Sequence, residues 1–210
     1  MATPDFIIDG RKTGMWFNAP PMKHQPRLFV VHYTAGEGSA QQVYQVLKGR
    51  NLSVQFTIDA YGDVYQLADL HAHCSHASAV NDFAVGVEIA NRGVPPAIKP
   101  HTDRVEYHDI ARGQPHKFLD FYDVQKQALF NLAEYVTNEL AIPRMLPLET
   151  VADGTKRVLR DAIPPAQIFG GPGSPQFKGV CGHCHVPSSS GKIDPGPAIF
   201  DDLAKHWGLL

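Results

Sequence analysis

The chain has 210 residues, 43% of them hydrophobic and 19% charged, with a formal net charge of -2. That suits one packed domain and excludes an intrinsically disordered chain. So even a charge balance leaves no electrostatic footprint for nucleic acid or for an anionic membrane surface. No apolar run nears the roughly 20 residues that a membrane span needs. Cys74, Cys181 and Cys184 are an odd number, unlike a secreted disulfide framework. Met1 to Phe6 carries neither a basic stretch nor a continuous apolar one. The expectation is therefore a protein made in the cytoplasm without a standard export signal. Action outside the cytoplasm, in the periplasm for example, would need a signal-independent route. Eleven histidines put a metal site on the list before any motif is read.

In chain order, residues 1–26 carry four prolines and two glycines and read as an irregular arm packed on the domain, which spans 27–210. Arg27 to Thr34 has a continuous apolar centre, which suits a buried strand, and places His32 near its end before Gly36 and Gly38. Ser39 can cap a helix with apolar positions Val43, Val46 and Leu47. Ser53–Asp59 alternates as a strand, 60–63 turns, and Val64–Leu67 returns as its hairpin partner. A loop with His71, His73, Cys74 and His76 follows. Val85–Asn91 reads as a second buried strand, and it carries Glu88 at its centre. A carboxylate there costs several kcal/mol unless it is paired or faces a polar site.

The segment from about 93 to 121 is polar and carries Pro95, Pro96 and Pro100 near its start, which suggests a groove wall or lid. Asp123 reads as the N-cap of the clearest helix, with the stripe Leu129, Leu132, Val136 and Leu140, although Lys126 sits where a capping box wants Glu or Gln. Residues 144–178 read as irregular, with a short helix near 155–162. Ala198–His206 reads as a closing helix. The expected fold class is α/β (α+β): one domain, a central mixed sheet flanked by helices, and long loops around a groove.

Chemistry concentrates in Cys181-Gly182-His183-Cys184-His185 and in Lys192-Ile193-Asp194-Pro195-Gly196-Pro197. His32, His183 and Asp194 are two imidazoles and a carboxylate, the ligand types of an open hydrolytic zinc site with one zinc per chain. Glu88 and Lys192 are the right types for a general base and a cation facing an oxyanion. Each has a plainer reading: a histidine satisfied by backbone, a turn-starting Asp-Pro, an exposed lysine, an ion-paired glutamate. His185 is a rival ligand, two residues from His183. The Cys181–Cys184 spacing also matches a thiol–disulfide oxidoreductase, yet it lies late in the chain and after the main helix, the wrong context for that motif.

Val30-Val31-His32-Tyr33-Thr34-Ala35-Gly36, Val85-Gly86-Val87-Glu88-Ile89 and the Gly182-His183 to Pro197 segment together resemble the zinc-dependent N-acetylmuramoyl-L-alanine amidases, a family that includes phage endolysins and peptidoglycan recognition proteins. The resemblance covers roughly 27–91 and 122–206. It implies a zinc in a surface groove and hydrolysis of the amide between N-acetylmuramic acid and L-alanine, in cell-wall lysis or muropeptide recycling. It matches His32, His183 and Asp194 to the zinc ligands, Glu88 to a catalytic glutamate and Lys192 to a lysine that stabilises the intermediate. Ser75-His76-Ala77 resembles a Trp-His-Ala segment beside the groove, with serine in place of tryptophan; His76 and Asn91 are the expected substrate contacts. The implied partner is peptidoglycan or a muropeptide, with an immunity protein added if the chain is a secreted toxin. The rival from another class is a recognition module that binds peptidoglycan without cutting it.

Overall fold

The computed structural model describes residues 4–93, 103–171, 173, 175–187 and 191–210. In chain order its elements are β1 (Ile7–Asp9), β2 (Leu28–Tyr33), α1 (Ala40–Gly49), β3 (Phe56–Ile58), β4 (Val64–Gln66), β5 (Ala84–Ile89), β6 (Glu106–Ala111), β7 (Gln114–Leu119), α2 (Asp123–Glu139), β8 (Leu148–Thr150), β9 (Lys156–Val158), α3 (Pro165–Phe169), β10 (Gly179–Gly182) and α4 (Ala198–His206). Among the described residues, six strands form a mixed sheet in the order β1-β4-β3-β5-β2-β10. Only the β3–β4 hairpin is antiparallel.

Strands β2 and β5 are apolar on both faces because helices cover both sides of the sheet. Phe29, Val31, Val85 and Val87 pack against Leu129, Leu132, Phe200 and Leu203 of α2 and α4. The alternate residues Leu28, Val30 and Ala84 turn to the other side, where Val80, Ile163 and Ile168 cover them. Helix α1 closes that side further along, through Val43, Tyr44 and Leu47 against Val54 and Leu67. Removing one such side chain from water stabilises the fold by about 1.5–3 kcal/mol.

The cap of α1 is as expected: Gln42 N donates to Ser39 Oγ (3.4 Å) while Gln42 Oε1 accepts from Ser39 N (2.9 Å). Helix α2 differs by one residue. Tyr122 is its N-cap and Asp123 its first residue, so the reciprocal partner is Gln125, whose Oε1 accepts from Tyr122 N (3.2 Å), and not Lys126.

Three irregular stretches contain strands. Ile7–Asp9 in the N-terminal arm pairs with β4 as the sheet edge; three residues are too few to carry a readable alternation. The 144–178 segment holds the β8–β9 hairpin where a helix was expected. An Asp153-Gly154 turn reverses it, with Gly154 at φ 86° and Asp153 Oδ1 accepting from Thr155 N (2.9 Å). The long polar loop holds the antiparallel β6–β7 hairpin, turned by Arg112 and Gly113, both at positive φ (55° and 69°). Arg-Gly is a weaker hairpin signal than Asn-Gly or Asp-Gly. Pro95, Pro96, Pro100, His101 and Ser188–Ser190 lie outside the described residues.

Arg104, its side chain enclosed, pins this insertion to the sheet. It donates from Nε to Glu37 Oε1 (3.0 Å), from Nη1 to Asp120 O (3.0 Å) and from Nη2 to Ala90 O (2.9 Å).

Candidate metal centre and its groove

Parallel pairing aligns the chemistry in one row. His32 on β2 is opposite Glu88 on β5, and Glu88 is opposite Thr57 on β3. On the other flank Gly182 of β10 pairs with Val31, so His183, the next residue, follows alongside His32. His32 and Glu88 continue the face that begins with Leu28, Val30 and Ala84, which changes from apolar to polar where α1 and the loops leave a cleft.

Asp194 comes back to this row from the loop. Cys184 N donates to Asp194 O (2.8 Å), closing the loop, and Asp194 Oδ2 sits 3.0 Å from His32 Nδ1 and 3.1 Å from His183 Nδ1. The three residues are 2%, 7% and 8% exposed, and one ligand atom from each lies within 4.8 Å of the others. Two ligands each about 2.1 Å from a zinc at tetrahedral angles stand about 3.4 Å apart. The observed nitrogen–oxygen spacings are close to that value. Burial opposes the Asp194 charge, but hydrogen bonds to His183 and His32 outweigh it and hold the carboxyl well below its usual range. Burial pushes His32 down, only partly offset by Asp194, which favours the neutral imidazole that ligates. The donor set therefore fits a divalent cation.

Glu88 Oε2 is enclosed by protein and has no hydrogen-bond partner among the described residues. Desolvation, reinforced by the Asp194 charge, pushes its pKa well above the ordinary carboxylate range; Lys192 and Arg50 pull more weakly the other way. An enclosed, unpaired carboxyl beside a metal-type donor set is the signature of a group with a proton to exchange. Lys192 is exposed at the rim of the same cleft.

The cleft has a volume of about 380 Å³ and runs from the His–His–Asp group along α1. Val46, expected in the core, is 56% exposed and with Arg50 forms the outer wall. Val46 was placed on the apolar face of the helix because helical spacing does not distinguish a groove-facing apolar residue from a core one, and Arg50 was not singled out. Arg112 was also missed. At the tip of the β6–β7 hairpin it donates to Val186 O (2.5 Å) and to Lys192 O (3.3 Å), bracketing the loop that carries Lys192.

Several expectations change. Asn91 is fully buried and does not line the cleft: its Nδ2 donates to Leu119 O (3.0 Å) and Asp120 O (3.2 Å), and its Oδ1 accepts from Gly93 N (2.7 Å). It ties β5 to the hairpin insertion. His76 reaches the cleft wall, but both of its ring nitrogens are engaged by protein, at His32 Nε2 (3.0 Å) and Ala84 O (3.3 Å). His185 is not a ligand. Its Nδ1 accepts from Gly182 N (2.9 Å) and its Nε2 donates to Leu159 O (2.9 Å). The oxidoreductase reading fails on the thiols: all three cysteines are buried, and desolvation pushes Cys181 up to about 12, where a redox thiol needs a lowered value.

Solved structures of cell-wall amidases and recognition proteins share this fold. They include the *Escherichia coli* amidase AmiD in complex with an anhydro-N-acetylmuramic acid tripeptide (20% identity, TM-score 0.53, covering 88% of this chain and 58% of that one). Others are the amidase LysC from *Clostridium intestinale* (16%, 0.53, 98% and 99%) and human PGRP-IβC with a glycosamyl muramyl pentapeptide (12%, 0.52, 97% and 97%). No curated protein sequence matches the chain. The fold is thus the one these amidase and recognition-protein domains share, and this chain spans 58% of the length of AmiD. The family model for N-acetylmuramoyl-L-alanine amidase matches residues 22–197, and the chain belongs to that family.

Proposed function

We propose that the chain is a zinc-dependent N-acetylmuramoyl-L-alanine amidase that cuts the amide between the lactyl group of N-acetylmuramic acid and L-alanine. The carrying observation is the convergence of His32, His183 and Asp194 within 4.8 Å, beside the unpartnered Glu88 Oε2. His32 Nδ1, His183 Nδ1 and Asp194 Oδ2 would hold the zinc. When bound, it supplies Lewis acidity, which acidifies water and polarises a carbonyl. Glu88 takes the proton of the attacking water, and burial together with the Asp194 charge strengthens its hold on that proton. Lys192, at the rim, offers its ammonium to the oxyanion that develops on the lactyl carbonyl. Glu88 then returns the proton to the departing L-alanine nitrogen. The α1 wall, apolar at Val46 and cationic at Arg50, takes the rest of the substrate.

Digestion of purified sacculi and of soluble anhydromuropeptides, with and without a chelator and read by mass spectrometry, tests this. The expected result is chelator-sensitive release of stem peptides with a free L-alanine amine. The substrate that is digested assigns the enzyme to wall lysis or to recycling. Zinc uptake with no cleavage of either substrate would replace the amidase with a recognition module.

A further inference from the structure

His76 stands behind His32, on the side away from Asp194. Its Nδ1 lies 3.0 Å from His32 Nε2 and its Nε2 lies 3.3 Å from the Ala84 carbonyl oxygen. A carbonyl oxygen can only accept, so the second contact puts the proton of a neutral His76 on Nε2 and leaves Nδ1 as an acceptor. That acceptor faces His32 Nε2 and favours the ring proton there, whereas the Asp194 carboxylate 3.0 Å from Nδ1 favours it on Nδ1 in the metal-free protein; a cation held at Nδ1 leaves only the Nε2–H form. In that form Nδ1 presents its lone pair to the space between Asp194 and His183, where the cation would sit. The rings meet edge to face, at 90° and 5.2 Å between centroids, so the contact sets the orientation of His32 as well as its tautomer.

The surroundings hold the His76 ring in this place. Gly86 lies beneath it, and a Cβ there would stand 2.7 Å from His76 Nδ1 and Cε1. Any larger residue would displace the ring from His32. Asn81 Oδ1 accepts from the backbone N–H groups of His76 (3.2 Å) and Ala77 (2.7 Å), fixing the loop. Gln55 Oε1 accepts from Gly86 N (2.8 Å), fixing the strand beneath. A ring with both nitrogens engaged in this way has none left for a sugar or a peptide.

We propose that His76 is a positioning residue for the metal: it relays the Ala84 carbonyl to His32 and so selects the Nε2–H tautomer that leaves His32 Nδ1 free to ligate. This rests on the reading of His32 as a zinc ligand. Partners of this kind behind a ligating histidine typically account for 10–100-fold in metal affinity.

The test compares zinc affinity, by competition with a chromophoric chelator, in wild type, His76→Leu and His76→Asn. Asparagine places an acceptor oxygen close to where Nδ1 stood, and leucine does not. His76→Leu is expected to weaken zinc by about 10–100-fold. His76→Asn should recover most of that loss, and KM at saturating zinc should stay within about twofold, since uniform substrate binding is untouched. Equal zinc affinity in wild type and His76→Leu, with KM raised, overturns the proposal in favour of a substrate contact. Long-range 15N–1H spectra of the zinc-loaded wild type give a reading that needs no variant to fold: both rings should be Nε2–H tautomers, and an Nδ1–H signal on His76 sinks the idea. A wild type that takes up no zinc overturns the metal centre itself, and this inference with it.

Discussion

His32 and Glu88 are direct partners across the parallel β2–β5 pair, so one strand register sets the spacing between the proposed ligand and the proposed acid–base group. Side chains alternate along a strand, and a slip of one residue would turn either group into the α2 core. The pair therefore separates metal holding from proton transfer. Glu88→Gln should retain zinc and lose about 10²–10⁴-fold in kcat. Metal content and turnover measured on the same preparation check this, and near wild-type turnover would remove Glu88 from the mechanism.

Lys192 and Arg112 make a graded pair. Lys192→Met should lower kcat by about 10²–10³-fold with little change in KM, as expected for a group that acts on charge developing in the transition state. Arg112 reaches the same loop through the carbonyls of Val186 and Lys192 and does not line the cleft. Arg112→Ala should therefore give a smaller kcat loss than Lys192→Met. A larger loss would mean that the guanidinium itself serves catalysis.

Asn91 is expected to matter for stability alone. Its side chain satisfies two carbonyls and one N–H in an enclosed space. Asn91→Ala removes the Asn91 partner of Gly93 N and of Leu119 O, while Asp120 O keeps Arg104, and should cost about 1–3 kcal/mol, read by urea unfolding. KM for a muropeptide should not move; a raised KM would restore Asn91 to the substrate groove.

His185 supplies a pH dependence with a definite sign. Burial lowers its pKa to about 4, and both nitrogens are satisfied in the neutral form, so a second proton would break the bond from Gly182 N. The unfolded chain binds that proton near pH 6.5 and the folded chain only near pH 4. Between these values the unfolded state holds more protons, so this stability is complete above about pH 6.5 and is lost as the pH falls toward 4. The full loss is about 3 kcal/mol. Urea unfolding of metal-free wild type and His185→Gln at pH 7 and pH 4.5 checks the difference. If both lose stability equally, His185 is not the sensor.

Much of this protein was legible in its residues. The apolar runs of β2 and β5, the stripe of α2 and the Ser39 cap are local patterns that keep their meaning in any tertiary setting. His32, Glu88, Lys192 and Asp194 stood out because reactive types interrupt apolar strands or cluster among turn residues, where packing gives them no role. The hairpin insertion was hidden because Arg112-Gly113 is a poor turn signal and β6 and β7 bury little of their length. Val46 was misplaced because spacing alone cannot say whether a helix face meets a core or a groove.

His76, Asn91 and His185 mark the dividing line. The sequence by itself determined the sheet's central strands, the ligand types and their order along the chain, because each rests on residue chemistry and short-range periodicity. Only the tertiary structure decided which histidine faces Asp194, which supports from behind and which is a satisfied core residue. Those roles depend on where a polar atom's partner lies, and the partners here, such as Leu159 for His185 and Leu119 for Asn91, are 26 and 28 residues distant along the chain. Hydrogen-bond geometry at that separation is set by strand register and loop closure, and no local pattern records it.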